Sequence, residues 1–381
     1  MRAGGKAGRV DKVVKDNLTV LVVDDSAYNR KMIRAMLKEM KEVDTIEAVS
    51  DGEEAIRTVM TDPPDVITLD LNMPRMDGFT FLRWLMRNNP IPVIVVSAEG
   101  GEKNVFKALD LGALDFVVKP VRYASERIIE IQDELQEKIR AIAGKDVGPY
   151  LSRLKVKKGV AKPAPPQPGK ASGTLSAKAG ILVIGASTGG PSAVQRILSE
   201  LPEDFPYPAI VIQHMPPVFT RQFAMRLDRN TALKSKEAAD GDKIEAGTIL
   251  VAPGGFHLVI SGKKNRTVEI VEKKDQDRFV PSVDITMSSA ADVYGKGAIG
   301  VLLTGMGNDG AEGLNRIKEA GGYTIAESED SSVVYGMPRA AVQRGAAQDI
   351  LHLDKVGSRI IELTRAASGL KNTRSGGTKK P

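Results

Sequence analysis

Short apolar runs alternate with amphipathic segments along most of this chain, and the best-defined runs end in polar or glycine-rich motifs. That alternation is the strongest constraint on the fold. The runs at 18–23, 66–69, 181–184, 209–212 and 298–303 are apolar throughout rather than at every second residue, so both of their faces need cover. Strands of that kind, separated by helical patterns, build parallel sheets with helices on both faces. The expected class is α/β, with two doubly wound parallel-sheet domains.

The first domain is expected over 18–142. Further strands fall at 93–96 and 116–118, with a weaker one near 45–49. Helical patterns cover 27–40, 52–60, 78–88, 103–111 and 125–142. Then the periodicity fades. Residues 143–178 are rich in Lys, Gly, Ser and Pro, with Pro163, Pro165, Pro166 and Pro168 close together, which favours an extended flexible linker. The alternation resumes over 179–367. Strands are expected also at 249–252, 257–260 and 268–271, and helices at 191–201, 220–227, 283–294, 310–320 and 338–344. Residues 368–381 read as a disordered basic tail.

Charge is unevenly spread. Segments 1–17, 143–178 and 368–381 carry +3, +7 and +4, so a chain of net charge +6 leaves −8 on the rest. The positive charge lies on segments outside the two cores, which argues against a nucleic-acid-binding fold. There is no cysteine, hence no disulfide framework or thiolate metal site. No apolar run approaches the length of a membrane span and the start lacks a signal-peptide core. A cytoplasmic protein is expected.

In the first domain, Asp24 and Asp25 end one strand, Asp70 another, Ser97 a third, and Lys119 follows a fourth. Strand carboxyl ends face one crevice in such folds. Crowded carboxylates repel unless a cation neutralises them, and hard oxygen ligands suit Mg²⁺. A metal beside Asp70 favours phosphoryl transfer onto that carboxylate, while Lys119 and Ser97 can hold the phosphoryl oxygens. Taken singly, Asp24-Asp25 could cap a helix and Lys119 could be a solvated charge. Jointly they form an acidic switch pocket.

In the second domain, Gly185 to Gly190 (G-A-S-T-G-G) matches the G-x-S-x-G turn that exposes a nucleophilic serine between strand and helix. Ser187 is the candidate nucleophile, and the Thr188 N–H at the helix N-terminus is a natural oxyanion donor. A nucleotide-binding turn is the weaker reading, because neither G-x-G-x-x-G nor a Walker lysine is present. Of three histidines, His214 directly follows an apolar run and is the best-placed base; His257 reads as structural or substrate-side. Asp309, in T-G-M-G-N-D-G, is the candidate orienting acid, with Asp284 and the Asp240/Asp242 pair as rivals.

These motifs carry a resemblance. V-V-D-D-S, L-D-L-N-M-P-R-M-D-G-F and D-F-V-V-K-P resemble a two-component receiver domain of flavodoxin-like fold. I-G-A-S-T-G-G-P, Q-H-M-P-P, A-P-G-G-F-H, P-S-V-D and L-T-G-M-G-N-D-G resemble the Rossmann-like catalytic domain of the CheB family of chemotaxis methylesterases. The resemblance implies Asp70 as phospho-acceptor, and Mg²⁺ held by Asp25, Asp70 and the Asn72 carbonyl with Asp24 acting through water. It implies hydrolysis of glutamyl methyl esters and deamidation of glutamines on chemoreceptors, with Ser187, His214 and Asp309 as triad and the Thr188 and Met306 N–H groups as oxyanion donors. It further implies a histidine kinase as phosphodonor and a receiver that covers the active site until phosphorylated. A partner-binding domain with a vestigial triad is the competing reading. A DNA-binding regulator finds no helix-turn-helix pattern to support it.

Overall fold

The computed structural model describes residues 17–98, 101–119, 125–143, 145, 146, 148, 150, 180–262 and 265–367. The N-terminal basic stretch, most of the expected linker and the tail 368–381 lie outside the described residues. The chain divides into two compact units.

The elements of the first half run β1 (Leu18–Val23), α1 (Ala27–Lys38), β2 (Val43–Val49), α2 (Gly52–Thr61), β3 (Val66–Leu69), α3 (Gly78–Asn88), β4 (Val93–Ser97), α4 (Glu102–Leu111), β5 (Asp115–Val118) and α5 (Ser125–Ile142). The strands form one parallel sheet in the order β2-β1-β3-β4-β5. Strand direction of winding reverses between β1 and β3, so a crevice opens at their carboxyl ends. Ser26, not Asp24 or Asp25, caps α1, accepting the Asn29 N–H through its hydroxyl. Both aspartates are thereby left for the crevice.

The second half contributes β6 (Ile181–Ala186), α6 (Gly190–Leu198), β7 (Ala209–Gln213), α7 (Phe219–Asn230), β8 (Lys234–Glu237), β9 (Thr248–Val251), β10 (Phe256–Ser261), β11 (Thr267–Glu272), α8 (Val283–Tyr294), β12 (Ala298–Leu302), α9 (Ala311–Glu319), β13 (Tyr323–Glu327), α10 (Met337–Gln343), β14 (Asp349–Leu351) and α11 (Leu353–Ala367). Seven strands form a parallel sheet in the order β14-β13-β12-β6-β7-β9-β8. Here β6 sits between β7 and β12, which places the switch point at the end of β6.

Three features depart from the sequence-based expectation. Strands β10 and β11 do not join the large sheet; they pair antiparallel with each other, and Leu258, Ile260 and Val268 bury one face. Strands β8, β13 and β14 and helix α11 have no counterpart in the sequence reading. Strand β8 (K-S-K-E) is a polar edge, as edges that resist mispairing are. Among the described residues, no helix is long and apolar enough to cross a membrane.

The second core gathers Ile181, Val183, Ile210 and Ile212 from the sheet with Met287, Leu314 and Ile317 from the covering helices. Leu302, fully buried on β12, belongs to it. We predict that Leu302→Ala destabilises the protein by about 3 kcal/mol. Urea denaturation measures this, and a loss below about 1 kcal/mol would mean that this strand is not core.

Candidate functional site

Three chain segments meet at the end of β6. The turn after β6 needs a left-handed residue, which Gly189 supplies (φ 77°); a Cβ there would also press on Val333. Ser187 is held on both sides by its neighbours' backbones. Its N–H donates to the Thr304 carbonyl (3.0 Å), and its carbonyl accepts from the Gly190 N–H (2.7 Å) and from Gln213 Nε2 (2.9 Å). The loop after β12 comes so close that a Cβ on Gly305 would lie 2.8 Å from the Ser187 Cβ. The His214 N–H donates to the Ala186 carbonyl (3.1 Å), which fixes the base candidate to the strand bearing the serine. Among the described residues, the Ser187 hydroxyl makes no hydrogen bond, and neither the Thr188 nor the Met306 N–H has an acceptor.

His214 Nε2 lies 2.7 Å from Asp309 Oδ2. The imidazole stacks on Phe279, with centroids 5.0 Å apart and planes 6° from parallel. Asp309 is buried and takes three further donors: Ser282 Oγ (2.9 Å) and the Asp284 N–H (3.0 Å) on Oδ1, and the Val283 N–H (2.7 Å) on Oδ2. Burial would push its carboxyl up. The His214 hydrogen bond and charge and the Asp284 and Val283 N–H groups outweigh it and hold Asp309 below the usual carboxylate range.

The rivals are elsewhere occupied. The Asp284 carboxylate accepts the Gly313 N–H (2.7 Å) of α9 rather than contacting His214. Burial first, and then the charge of Asp309, push Asp284 up to about 6. Asp240 accepts the Ile270 N–H (3.0 Å), and Asp242 accepts Lys236 Nζ (2.6 Å) and the Ala239 N–H (2.7 Å). His257 is buried, so a substrate-facing role is excluded. The sequence reading missed Gln213, Phe279 and Ser282. Of these, Gln213 and Ser282 stand inside the motifs Q-H-M-P-P and P-S-V-D, where motif membership is the available signal.

In the first unit, Asp24, Asp25 and Asp70 present carboxylate oxygens all within 4.8 Å of one another. Lys119 Nζ bridges Asp24 Oδ2 and Asp70 Oδ2 at 2.8 Å each. The Asn72 N–H donates to Asp70 Oδ1 (3.2 Å). Burial pushes the Asp70 carboxyl up; Lys119 opposes this and Asp24 adds to it. Three hard carboxylates against one ammonium suit a divalent cation in charge and donor type. Ser97 is buried at the strand end, but its hydroxyl donates to the Ala98 carbonyl (3.3 Å) rather than to Asp70.

A serine turn and a His–Asp pair on one α/β sheet resemble the sites of hydrolases that act through a serine. The acidic pocket with its lysine is that of a response regulator. The sequence matches the CheB methylesterase family over residues 182–360 and the response regulator receiver domain over 20–131. It is 44% identical to protein-glutamate methylesterase/protein-glutamine glutaminase 3 of Geobacter sulfurreducens, over 91% of this chain and 97% of that one. It is 41% identical to the protein of the same description from Caldanaerobacter subterraneus subsp. tengcongensis, over 92% and 97%. The Thermotoga maritima CheB methylesterase catalytic domain, a solved structure, is 41% identical, covering 49% of this chain and 98% of that one with a TM-score of 0.47. The chain belongs to the protein-glutamate methylesterase/protein-glutamine glutaminase family and carries a receiver domain.

Asp284 gives a pH test. Its folded-state value of about 6 stands above the ordinary aspartate value of 3.8, so its contribution is fully present below pH ~4 and is lost as pH rises through ~6. Asp284→Asn keeps an acceptor for the Gly313 N–H without the charge. We predict equal stability for variant and parent at pH 4, and a variant more stable on the order of 2 kcal/mol at pH 8, after discounting for partial exposure. Urea denaturation at the two pH values measures the difference.

Proposed function

We propose that this protein hydrolyses glutamate methyl esters on chemoreceptors, releasing methanol, and deamidates receptor glutamines, under control of phosphorylation at Asp70. The observation that carries the catalytic half is the four-donor hold on Asp309, one donor being His214 Nε2, while the His214 backbone N–H bonds to the Ala186 carbonyl beside Ser187.

With Nε2–H on Asp309, the neutral imidazole has its lone pair on Nδ1. Nδ1 takes the Ser187 hydroxyl proton as Oγ attacks the γ-carbonyl carbon. The Thr188 and Met306 N–H groups receive the oxyanion; one such donor is worth about 10²–10³ in rate. As the tetrahedral intermediate collapses, the proton on Nδ1 passes to the leaving methoxide, which departs as methanol, or to the leaving amine, which departs as ammonia. Water then attacks the acyl-serine with His214 again as base, and glutamate is released. Asp309 keeps its charge throughout and stabilises the imidazolium.

In the receiver, Asp25, Asp70 and the Asn72 carbonyl would hold Mg²⁺, with Asp24 acting through water. Bound there, the ion neutralises charge during phosphoryl transfer from a histidine kinase to Asp70. Lys119 pairs with the phosphoryl oxygens, and the Ser97 hydroxyl turns from Ala98 to meet them. The setting is cytoplasmic, with no nucleic acid among the partners.

The test is methanol release from methylated receptor membranes, with and without Mg²⁺ and a small phosphodonor. Ser187→Ala is expected to lower release by about 10⁴-fold or more. Asp70→Asn is expected to abolish the rise produced by the phosphodonor. Release that survives Ser187→Ala would overturn the catalytic reading. A rise that survives Asp70→Asn would overturn the switch.

A further inference from the structure

Four donors grip Asp309, and three of them come from consecutive residues, Ser282, Val283 and Asp284. The orientation of the acid therefore depends on where Ser282 is held. Its backbone N–H donates to His257 Nδ1 (3.2 Å). His257 Nε2 lies 2.9 Å from Asp277 Oδ2, which also accepts the Lys274 N–H at 2.7 Å. A ring that accepts at Nδ1 and faces a carboxylate at Nε2 is neutral, with its proton on Nε2. His257 is 2% exposed. Removal of its Nδ1 acceptor leaves a buried N–H unsatisfied at the first residue of the gripping segment.

We infer that the Asp277–His257 pair is a positioning device for the acid of the triad, acting through Ser282. The path runs from the Asp277 carboxylate to His257, through the Ser282 N–H, and from the Ser282 hydroxyl to Asp309 Oδ1 at 2.9 Å. Asp277 fixes the tautomer of His257; His257 fixes Ser282; and Ser282 sets the plane of the carboxylate that His214 meets. The inference rests on the reading of Asp309 as the orienting acid. Its distinctive claim concerns one atom: the acceptor at Nδ1, rather than the bulk of the ring, carries the effect.

Two substitutions separate these. His257→Asn places an amide oxygen near the Nδ1 position and keeps the acceptor for Ser282. His257→Gln reaches toward Asp277 and leaves no acceptor at the Nδ1 position. Both remove the ring and should lower the thermal midpoint, His257→Gln further because it leaves the buried Ser282 N–H without an acceptor. In the full chain, the downfield ¹H NMR resonance of the His214 Nε2 proton is expected to persist in His257→Asn and to vanish or move in His257→Gln. For ester hydrolysis, His257→Gln is expected to lower kcat by about 10- to 100-fold with little change in KM, the cost of a misplaced catalytic group. His257→Asn is expected to stay within about threefold of the parent on the same scale. Should His257→Gln not fold, Ser282→Ala removes the hydroxyl that donates to Asp309 and also caps α8 at the Ile285 N–H, and it is expected to shift the same resonance. Identical behaviour of the two His257 variants, or an unmoved resonance in Ser282→Ala, would overturn the inference. If the parent chain releases no methanol, the catalytic reading fails and the resonance alone decides the positioning role.

Discussion

Asp309 is a carboxylate in a place where an unpaired charge is prohibitive, and the architecture around it follows from meeting that cost. Its two oxygens need donors, and four are supplied from two directions. That requirement brings the start of α8 against the loop after β12. Small residues make the approach possible: a Cβ on Gly185 would lie 2.3 Å from Val283 Cγ1, and one on Gly310 would lie 2.7 Å from it. Val283 thus fills the space that two glycines leave open, and its N–H reaches the carboxylate. His214 completes the set from β7. Because β7 and β12 flank β6, the serine stands between them. The geometry of the site is a consequence of how one buried charge is paired.

Much of this arrangement was legible in the sequence because it depends on strand ends. Ser187, His214 and Asp309 each follow a fully apolar run, and fully apolar runs are central parallel strands. The same logic placed Asp24, Asp25, Asp70, Ser97 and Lys119 at one edge of the first sheet. The sequence favoured Asp309 over Asp284, but the contacts that distinguish the two acids were beyond it. What separates them is that Asp284 turns its backbone N–H to Asp309 while its carboxylate goes to the Gly313 N–H. Ser97 was legible in place but not in orientation, since its hydroxyl bonds to Ala98.

The misses have physical causes too. Strand β8 is polar on both sides, so apolar patterning cannot reveal it. Strand β13 carries Glu327, a buried carboxylate that accepts the Thr304 N–H (2.8 Å), where a strand pattern calls for an apolar residue. Helix α11 buries Leu353, Val356, Ile360 and Thr364 at helical spacing. Gly357 interrupts that pattern because the helix lies close against Glu200, whose carboxylate a Cβ would meet at 2.4 Å. For Glu327 and Gly357, a tertiary contact accompanies a residue that local propensity would have rejected.

Asp70 and Asp309 occupy equivalent topological positions, each after a buried strand beside a switch point, yet their surroundings fit them for opposite tasks. Asp309 has each oxygen bonded to two donors, and its carboxyl is held low despite burial. A carboxylate so fully engaged has little capacity to act as nucleophile or to take up a proton, which fits the orienting and charge-stabilising role proposed for it. Asp70 has one donor per oxygen, Lys119 and the Asn72 N–H, with Asp24 and Asp25 nearby, and burial pushes its carboxyl up. A carboxylate under-supplied with positive charge gains from a cation and keeps a lone pair for an incoming phosphoryl group. On the proposed reading, donor count at these two strand ends, rather than the fold that supplies them, separates the acid that orients from the one that reacts.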